Sequence, residues 1–453
     1  MVKEMLNQEN NNTNLDILII GGTLLTMSKE MEIIEAPIIG IKNGKILFAK
    51  GKKEGPIQYR AKEIIDAQGS VIMPGLVNTH THLPMVCFRG LADDLPLMDW
   101  LNNYIFPAEA KYASAEMVYD GAILAIAEMF LSGTTTVSDG YFFEDSVAQA
   151  AIETGMRAVV CQGFVDFPTP DNPDPSKNAD IAKSFIEKWT GVSSLITPAL
   201  FCHAPYTCCP DTYIGIKKIA RKGDVFLYTH LAETMDEIKT IQERYGRTPV
   251  HHLHHLGVLD DKTVAVHCNF IDDEEISILA DCKTKVSHNP ESSMKLASGV
   301  APIPKMQEKG ITVGLGTDGC ASNNDLDMFK EMDTAAKLHK VTTMDPTVMN
   351  ARTVLKMATI DGASALGLED RIGSIEAGKC ADIIILDMKK PHLTPLYNSY
   401  SHIVYAASGS DVSTTIVGGR IVMKDRRLLT IDAEKIMKKV KKLAGKIREG
   451  NII

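Results

Sequence analysis

The chain has 453 residues, 45% of them hydrophobic and 23% charged, which is the profile of a folded protein with a sizeable core rather than a disordered or fibrous one. Its net charge of −9 gives no electrostatic reason to bind nucleic acid, and no stretch approaches the ~20 apolar residues that a membrane span needs. The nine cysteines are scattered and never spaced CxxC, which argues against a disulfide framework or a cysteine zinc site and for reduced thiols in a cytoplasmic protein.

Residues 1–14 are polar and Asn-rich and are expected to form a flexible N-terminus without a signal-peptide pattern. Residues 15–73 carry short strand patterns broken by turn signals: LDILIIGGTLLTM, PIIGIKNGKILFAKG and KEIIDAQGSVIM. Eight apolar runs follow, at 71–82, 134–140, 157–163, 195–205, 225–233, 263–269, 285–290 and 311–319. They are continuous rather than alternating, as parallel strands buried on both faces require. Helical patterns such as 113–131 lie between most of them. Eight β-α units predict an α/β fold with a closed (β/α)8 TIM barrel over 74–371. An open doubly wound sheet usually announces itself with a Gly-rich first turn, and no GxGxxG or Walker sequence occurs.

The Pro-rich stretch 166–180, DFPTPDNPDPSKNAD, predicts a long loop after the third strand. Residues 372–430 return to short strands, IGSIEAGKCADIIILD and TTIVGGRIVMKDRR, and with 15–73 should build one small β-sandwich from both termini. The tail 431–453 reads as a basic amphipathic helix lying on the surface.

The chemistry concentrates at strand ends. His80 and His82 are two apart at the end of the first strand, so both imidazoles should face the mouth of the barrel, where active sites sit in this architecture. The theme recurs: His203 closes the fourth run, His230 the fifth, His267 the sixth and Asp318 the eighth, with His288 near the end of the seventh. Convergence of ligand-type side chains marks a metal site. His80, His82, His230 and Asp318 suit one divalent ion, Zn2+ first and Fe2+ as the alternative. Asp318 could also accept the proton of a bound water, Glu233 could shuttle a proton to a leaving group, and His267 could polarise the attacking oxygen. The fourth run ends Phe201-Cys202-His203 without a lysine to bridge two metals, which argues for a single ion. HHLHH at 251–255 reads as surface or packing histidines, and the absence of PCxxC excludes one class of zinc deaminase.

These residues resemble the amidohydrolase superfamily, and within it the methylthioadenosine/S-adenosylhomocysteine deaminase branch that also includes triazine hydrolases. The resemblance runs from residue 15 to about 424. It is carried by PGLVNTHTHLPM, RGLADDLPLMDWL, FPAEAKY, HAPYTC, THLAET, AVHCN, SHNPESSMKLASGVAPI and GLGTDG. It implies hydrolytic deamination of an adenine nucleoside (methylthioadenosine, S-adenosylhomocysteine, 5′-deoxyadenosine or adenosine) at C6 by metal-activated hydroxide. It implies Glu233 as the group that protonates N1, Glu109 as the ribose-binding residue, His203 as a further substrate contact, Trp100 as an aromatic lining the pocket, and a homo-oligomer. Deamination or dechlorination of another ring, such as guanine, a pterin, cytosine or a triazine, stays open, as does a non-catalytic protein on the same barrel. Two departures stand out. The third strand ends in Gln162 where relatives that accept S-adenosylhomocysteine carry arginine, and Ser292 stands where the branch has asparagine.

Overall fold

The computed structural model describes residues 14–51 and 59–449. The N-terminal stretch 1–13, where flexibility is expected, lies outside the described residues.

Eight parallel strands form one sheet in sequence order: β1 (Leu76–Thr81), β2 (Thr134–Tyr141), β3 (Arg157–Phe164), β4 (Ile196–Cys202), β5 (Leu227–Leu231), β6 (Thr263–His267), β7 (Lys285–His288) and β8 (Val313–Leu315). The sheet closes on itself where the segment after β8 meets β1. There the Asp318 N–H donates to the His80 carbonyl at 3.0 Å, and Asn78 and Thr317 exchange bonds of 2.8 and 3.1 Å. Helices connect successive strands, so both faces of every strand are covered, which explains why β1, β2, β5 and β6 are buried at every position.

One expected strand is in fact two. The run 71–82 breaks at Gly75 into Ser70–Pro74 and β1. A Cβ at Gly75 would lie 2.1 Å from Thr135 Oγ1, so only glycine lets the chain turn this close to β2.

The terminal segments form two further sheets. One has four strands in the order Lys45–Gly51, Pro37–Lys42, Asn14–Ile20, Arg60–Asp66. The other has seven and draws on both ends of the chain: Ser70–Pro74 runs antiparallel to Ile383–Asp387, with Ile72 opposite Ile385. Ile17, Ile19, Ile39 and Ile41 of the first sheet share one buried cluster with Leu24, Ile72, Ile383 and Ile416 of the second. A sandwich core of β-branched residues follows directly from the alternation in the sequence. A bidentate ion pair ties this unit to the barrel. Arg157 at the start of β3 donates Nε and Nη2 to the two oxygens of Asp382, at 2.6 and 3.0 Å, with both side chains almost fully buried. The helix Ala433–Glu449 buries Ile436, Val440 and Ile447 and lies along Ala115–Leu131, with Lys439 paired to Asp120 at 2.8 Å. Among the described residues, no helix is long and apolar enough to cross a membrane.

Candidate metal centre and substrate cavity

The barrel mouth gathers the histidines. His80 lies near the end of β1, His82 just beyond it, His230 near the end of β5, and Asp318 three residues past β8. The ligand nitrogens of His80, His82 and His230 lie within 4.8 Å of one another. Asp318 Oδ1 is 3.2 Å from His80 Nε2 and 3.3 Å from His82 Nε2. His82 Nδ1 sits 2.5 Å from the Gly140 carbonyl, so Nδ1 carries the hydrogen and Nε2 offers its lone pair to the cluster. His80 Nε2 and His230 Nε2 approach to 3.3 Å, a spacing at which two lone pairs need a proton or a cation between them.

Electrostatics favour the cation. Burial, reinforced by the neighbouring rings, holds His80 at about 4 and drives His230 well below the ordinary histidine range. Burial by itself would raise Asp318, but the His80 contact and the surrounding imidazoles outweigh it and keep the carboxylate ionised. Neutral nitrogens around one carboxylate make a donor set suited to a zinc or ferrous ion.

The backbone is bent to bring these groups together. Ala232, His267 and Asp318 have φ of 53°, 74° and 61°, left-handed values that cost a non-glycine residue on the order of 1 kcal/mol each. All three stand at the ends of β5, β6 and β8, where the chain must leave the sheet while still aiming a side chain inward. Asp318 is further fixed through Oδ2, which accepts the hydroxyls of Ser292 at 2.6 Å and Ser322 at 2.9 Å.

Every expected site residue except the deeper His80 lines one cavity of about 250 Å3. Glu233 is pushed up to about 8 by burial and by the charge of Asp318, and its Oε1 stands 3.8 Å from His267 Nε2. Its turn is held by the Glu237 carboxylate, which accepts the N–H groups of Ala232 and Glu233 at 2.9 and 2.8 Å. Burial holds His267 at about 4 and His203 at about 3, and His203 Nδ1 meets Thr207 Oγ1 at 2.9 Å. Glu109 accepts the Tyr141 hydroxyl at 2.6 Å, and burial lifts it to about 7. Trp100 is buried and forms part of the same wall.

Other histidines stand apart. His288 closes β7, but its ring turns away to pair with His339, Nε2 to Nε2 at 2.9 Å. Of HHLHH, His252 stacks on Tyr245 with ring centroids 4.1 Å apart and the others line the protein surface. The loop after β3 contributes Phe167, Pro168 and Pro170 to the cavity wall, and Asp171 anchors it by accepting the N–H of Phe143 and the Gln162 amide. Sequence reasoning missed Tyr141, Glu237 and Ser322, and it treated Ser292 only as a departure. Tyr141 follows directly on the run that ends at Gly140, so extending that strand by one residue would have found it.

The pattern of the amidohydrolase family matches residues 71–422, and the chain belongs to this family. It is 47% identical to a 5-methylthioadenosine/S-adenosylhomocysteine deaminase of Syntrophus aciditrophicus, over 96% of this chain and 98% of that one. It is 45% identical to a 5′-deoxyadenosine deaminase of Methanosarcina mazei, over 95% and 98%. A zinc-bound crystal structure of an adenosine deaminase from Xanthomonas campestris superposes with a TM-score of 0.94 at 36% identity, covering 97% of this chain and all of that one.

Proposed function

We propose that the chain is an aminohydrolase that converts an adenine nucleoside to the inosine-type nucleoside and ammonia, with Glu233 as the acid and Asp318 as the base. One observation carries this reading: two carboxyls face the same cavity in contrasting settings, Glu233 buried 3.8 Å from His267 Nε2 and pushed up to about 8, Asp318 set among the imidazoles that hold its carboxyl low. Hydrolytic deamination needs that pairing, an acid for the ring nitrogen and a base for water.

His80, His82, His230 and Asp318 would hold one divalent ion, zinc before ferrous iron, which supplies Lewis acidity and lowers the pKa of water toward ~7. Glu233 gives its proton to N1 of the purine, which makes C6 electrophilic. Asp318 takes one proton from the water that adds at C6 and passes it to the amino group. The C6–N bond then breaks, ammonia leaves, and the remaining hydroxyl proton returns to Glu233. His267 orients the attacking oxygen by hydrogen bonding. Glu109, held by Tyr141, accepts the ribose hydroxyls, while His203 and Trp100 bound the nucleoside. The identity of the named relatives and the ribose-type acceptor Glu109 favour a nucleoside over a free base, which has no sugar for Glu109 to hold. The reading also carries a homo-oligomeric assembly, a cytoplasmic location in keeping with free thiols, and a division of the chain near residues 74 and 371 between barrel and sandwich.

The deciding experiment is metal analysis of the purified chain combined with an ammonia-release screen over adenine nucleosides, guanine, cytosine, a pterin and a chlorotriazine. Turnover of 5′-deoxyadenosine or methylthioadenosine with one bound ion per chain is expected. Faster turnover of a free base or triazine overturns the reading.

A further inference from the structure

Asp139 lies near the end of β2, and the helix Glu144–Thr154 begins a short turn later. Asp139 Oδ1 accepts the Thr81 hydroxyl at 2.9 Å and the backbone N–H of Leu83. Those residues flank His82 on either side. The next carbonyl on β2, that of Gly140, takes the His82 Nδ1 hydrogen. One strand end therefore governs the position, the turn and the tautomer of His82.

Behind this clamp is an imbalance. Asp139 Oδ2 and both oxygens of Glu144 are buried without a hydrogen-bond partner of acceptable geometry. The two carboxyl groups are in contact with each other, and Asp171 adds further negative charge beside Glu144. Two ionised carboxylates in contact inside an apolar wall are strongly unfavourable, whereas a single proton between them relieves the repulsion and satisfies the orphaned oxygens together. The donors decide which group holds the proton. Asp139 Oδ1 already accepts two, which favours its ionised form, while Glu144 has only a poorly aligned backbone N–H of Tyr141 near it. Burial raises both groups, but the Leu83 and Thr81 donors hold Asp139 back, while the adjacent Asp139 charge adds to burial and pushes Glu144 well up.

We propose that Glu144 is a neutral carboxylic acid that donates its O–H to Asp139 Oδ2 and, through the ionised Asp139, acts as a positioning residue for His82. The proposal rests on His82 as a metal ligand. Outer hydrogen bonds of this kind set the orientation and basicity of an imidazole ligand, and their loss typically costs 10–100-fold in metal affinity.

The test uses the full chain stripped of metal and titrated with zinc against a chromophoric chelator, together with infrared spectra of the same samples. Glu144→Gln keeps a donor for Asp139 and should bind zinc within about threefold of the native chain, whereas Glu144→Leu should bind roughly 10–100-fold more weakly. The native spectrum should show a buried protonated-carboxyl C=O band that Glu144→Gln lacks. Thermal melts of both variants separate weakened binding from lost folding. If the leucine variant does not fold, the infrared band and the glutamine variant still decide. Loss of zinc affinity in Glu144→Gln equal to that in Glu144→Leu, or an unchanged carboxyl band, overturns the proposal. A native chain that binds no zinc overturns the metal reading instead, and the infrared comparison still locates the proton.

Discussion

The hydroxyl of Tyr141 donates to Oε1 of Glu109 at 2.6 Å, a polar bond set into a cavity wall that is otherwise mostly apolar. It fixes the acceptor proposed for the ribose, while burial, working against this bond, lifts Glu109 from its ordinary 4.5 to about 7. This raised value makes a stability prediction. Above 4.5 the unfolded chain releases the proton while the folded chain keeps it, so rising pH destabilises the fold until Glu109 ionises near 7. Glu109→Gln should therefore gain on the native protein between pH 5 and 7 by on the order of 3 kcal/mol and hold that gain above. Parallel melting curves for the two proteins across this range would refute the shift.

The same carboxylate should matter to binding. Ionised Glu109 accepts two ribose hydroxyls better than its neutral form. KM for the nucleoside is expected to fall as pH rises through about 7, and in Glu109→Gln that dependence should vanish while KM rises about tenfold. A KM–pH profile for each enzyme checks it.

Glu233→Gln removes the proposed proton donor but none of the four side chains proposed to hold the metal. The expected result is a loss of 10²–10⁴-fold in kcat with the bound ion retained. Activity within a few-fold of the native enzyme would exclude Glu233 as the acid.

Among the described residues, no lysine or arginine lines the cavity, whose outer wall is built from Trp100, Phe106, Phe167 and Pro168. A zwitterionic tail on the 5′ position would lose hydration there without gaining a partner. S-adenosylhomocysteine should thus be a poorer substrate than methylthioadenosine, 5′-deoxyadenosine or adenosine. Equal or greater kcat/KM for S-adenosylhomocysteine would overturn this.

Arg157 and Asp382 form a buried pair, so removing one partner leaves a charge without compensation. Arg157→Met should cost about 3–5 kcal/mol, and the double variant Arg157→Met, Asp382→Leu less than the sum of the two single changes. Denaturant unfolding of the four proteins gives the cycle.

The barrel was readable because most of its strands lie in short, largely apolar segments without strict alternation, recurring eight times with helical patterns between them, as burial on both faces favours. The gathering of His80, His82, His230 and Asp318 was readable for a related reason: at a barrel mouth, a histidine ending one strand and an aspartate following another meet in space although they are far apart in sequence. What escaped depends on direction rather than on residue type. His288 ends its strand as His230 does, yet it turns toward a helix. Gly75 divides one run into two strands because of a neighbour, Thr135, that sequence does not place. Ser292, Ser322 and Glu237 act by holding other side chains or backbone N–H groups, and no spacing rule announces a hydroxyl that will meet a carboxylate from another strand.

The seven-stranded sheet also sets an order of events. Ser70–Pro74 finds its partner Ile383–Asp387 only some 300 residues later in the chain. At 5–20 residues per second, synthesis leaves that strand edge without its partner for roughly 15–60 s. Through this interval the nascent N-terminal half presents unpaired backbone and a face of isoleucines. The sandwich thus cannot be completed until the whole barrel has been made, and it is where a chain stalled or cut before residue 383 would stick to another copy.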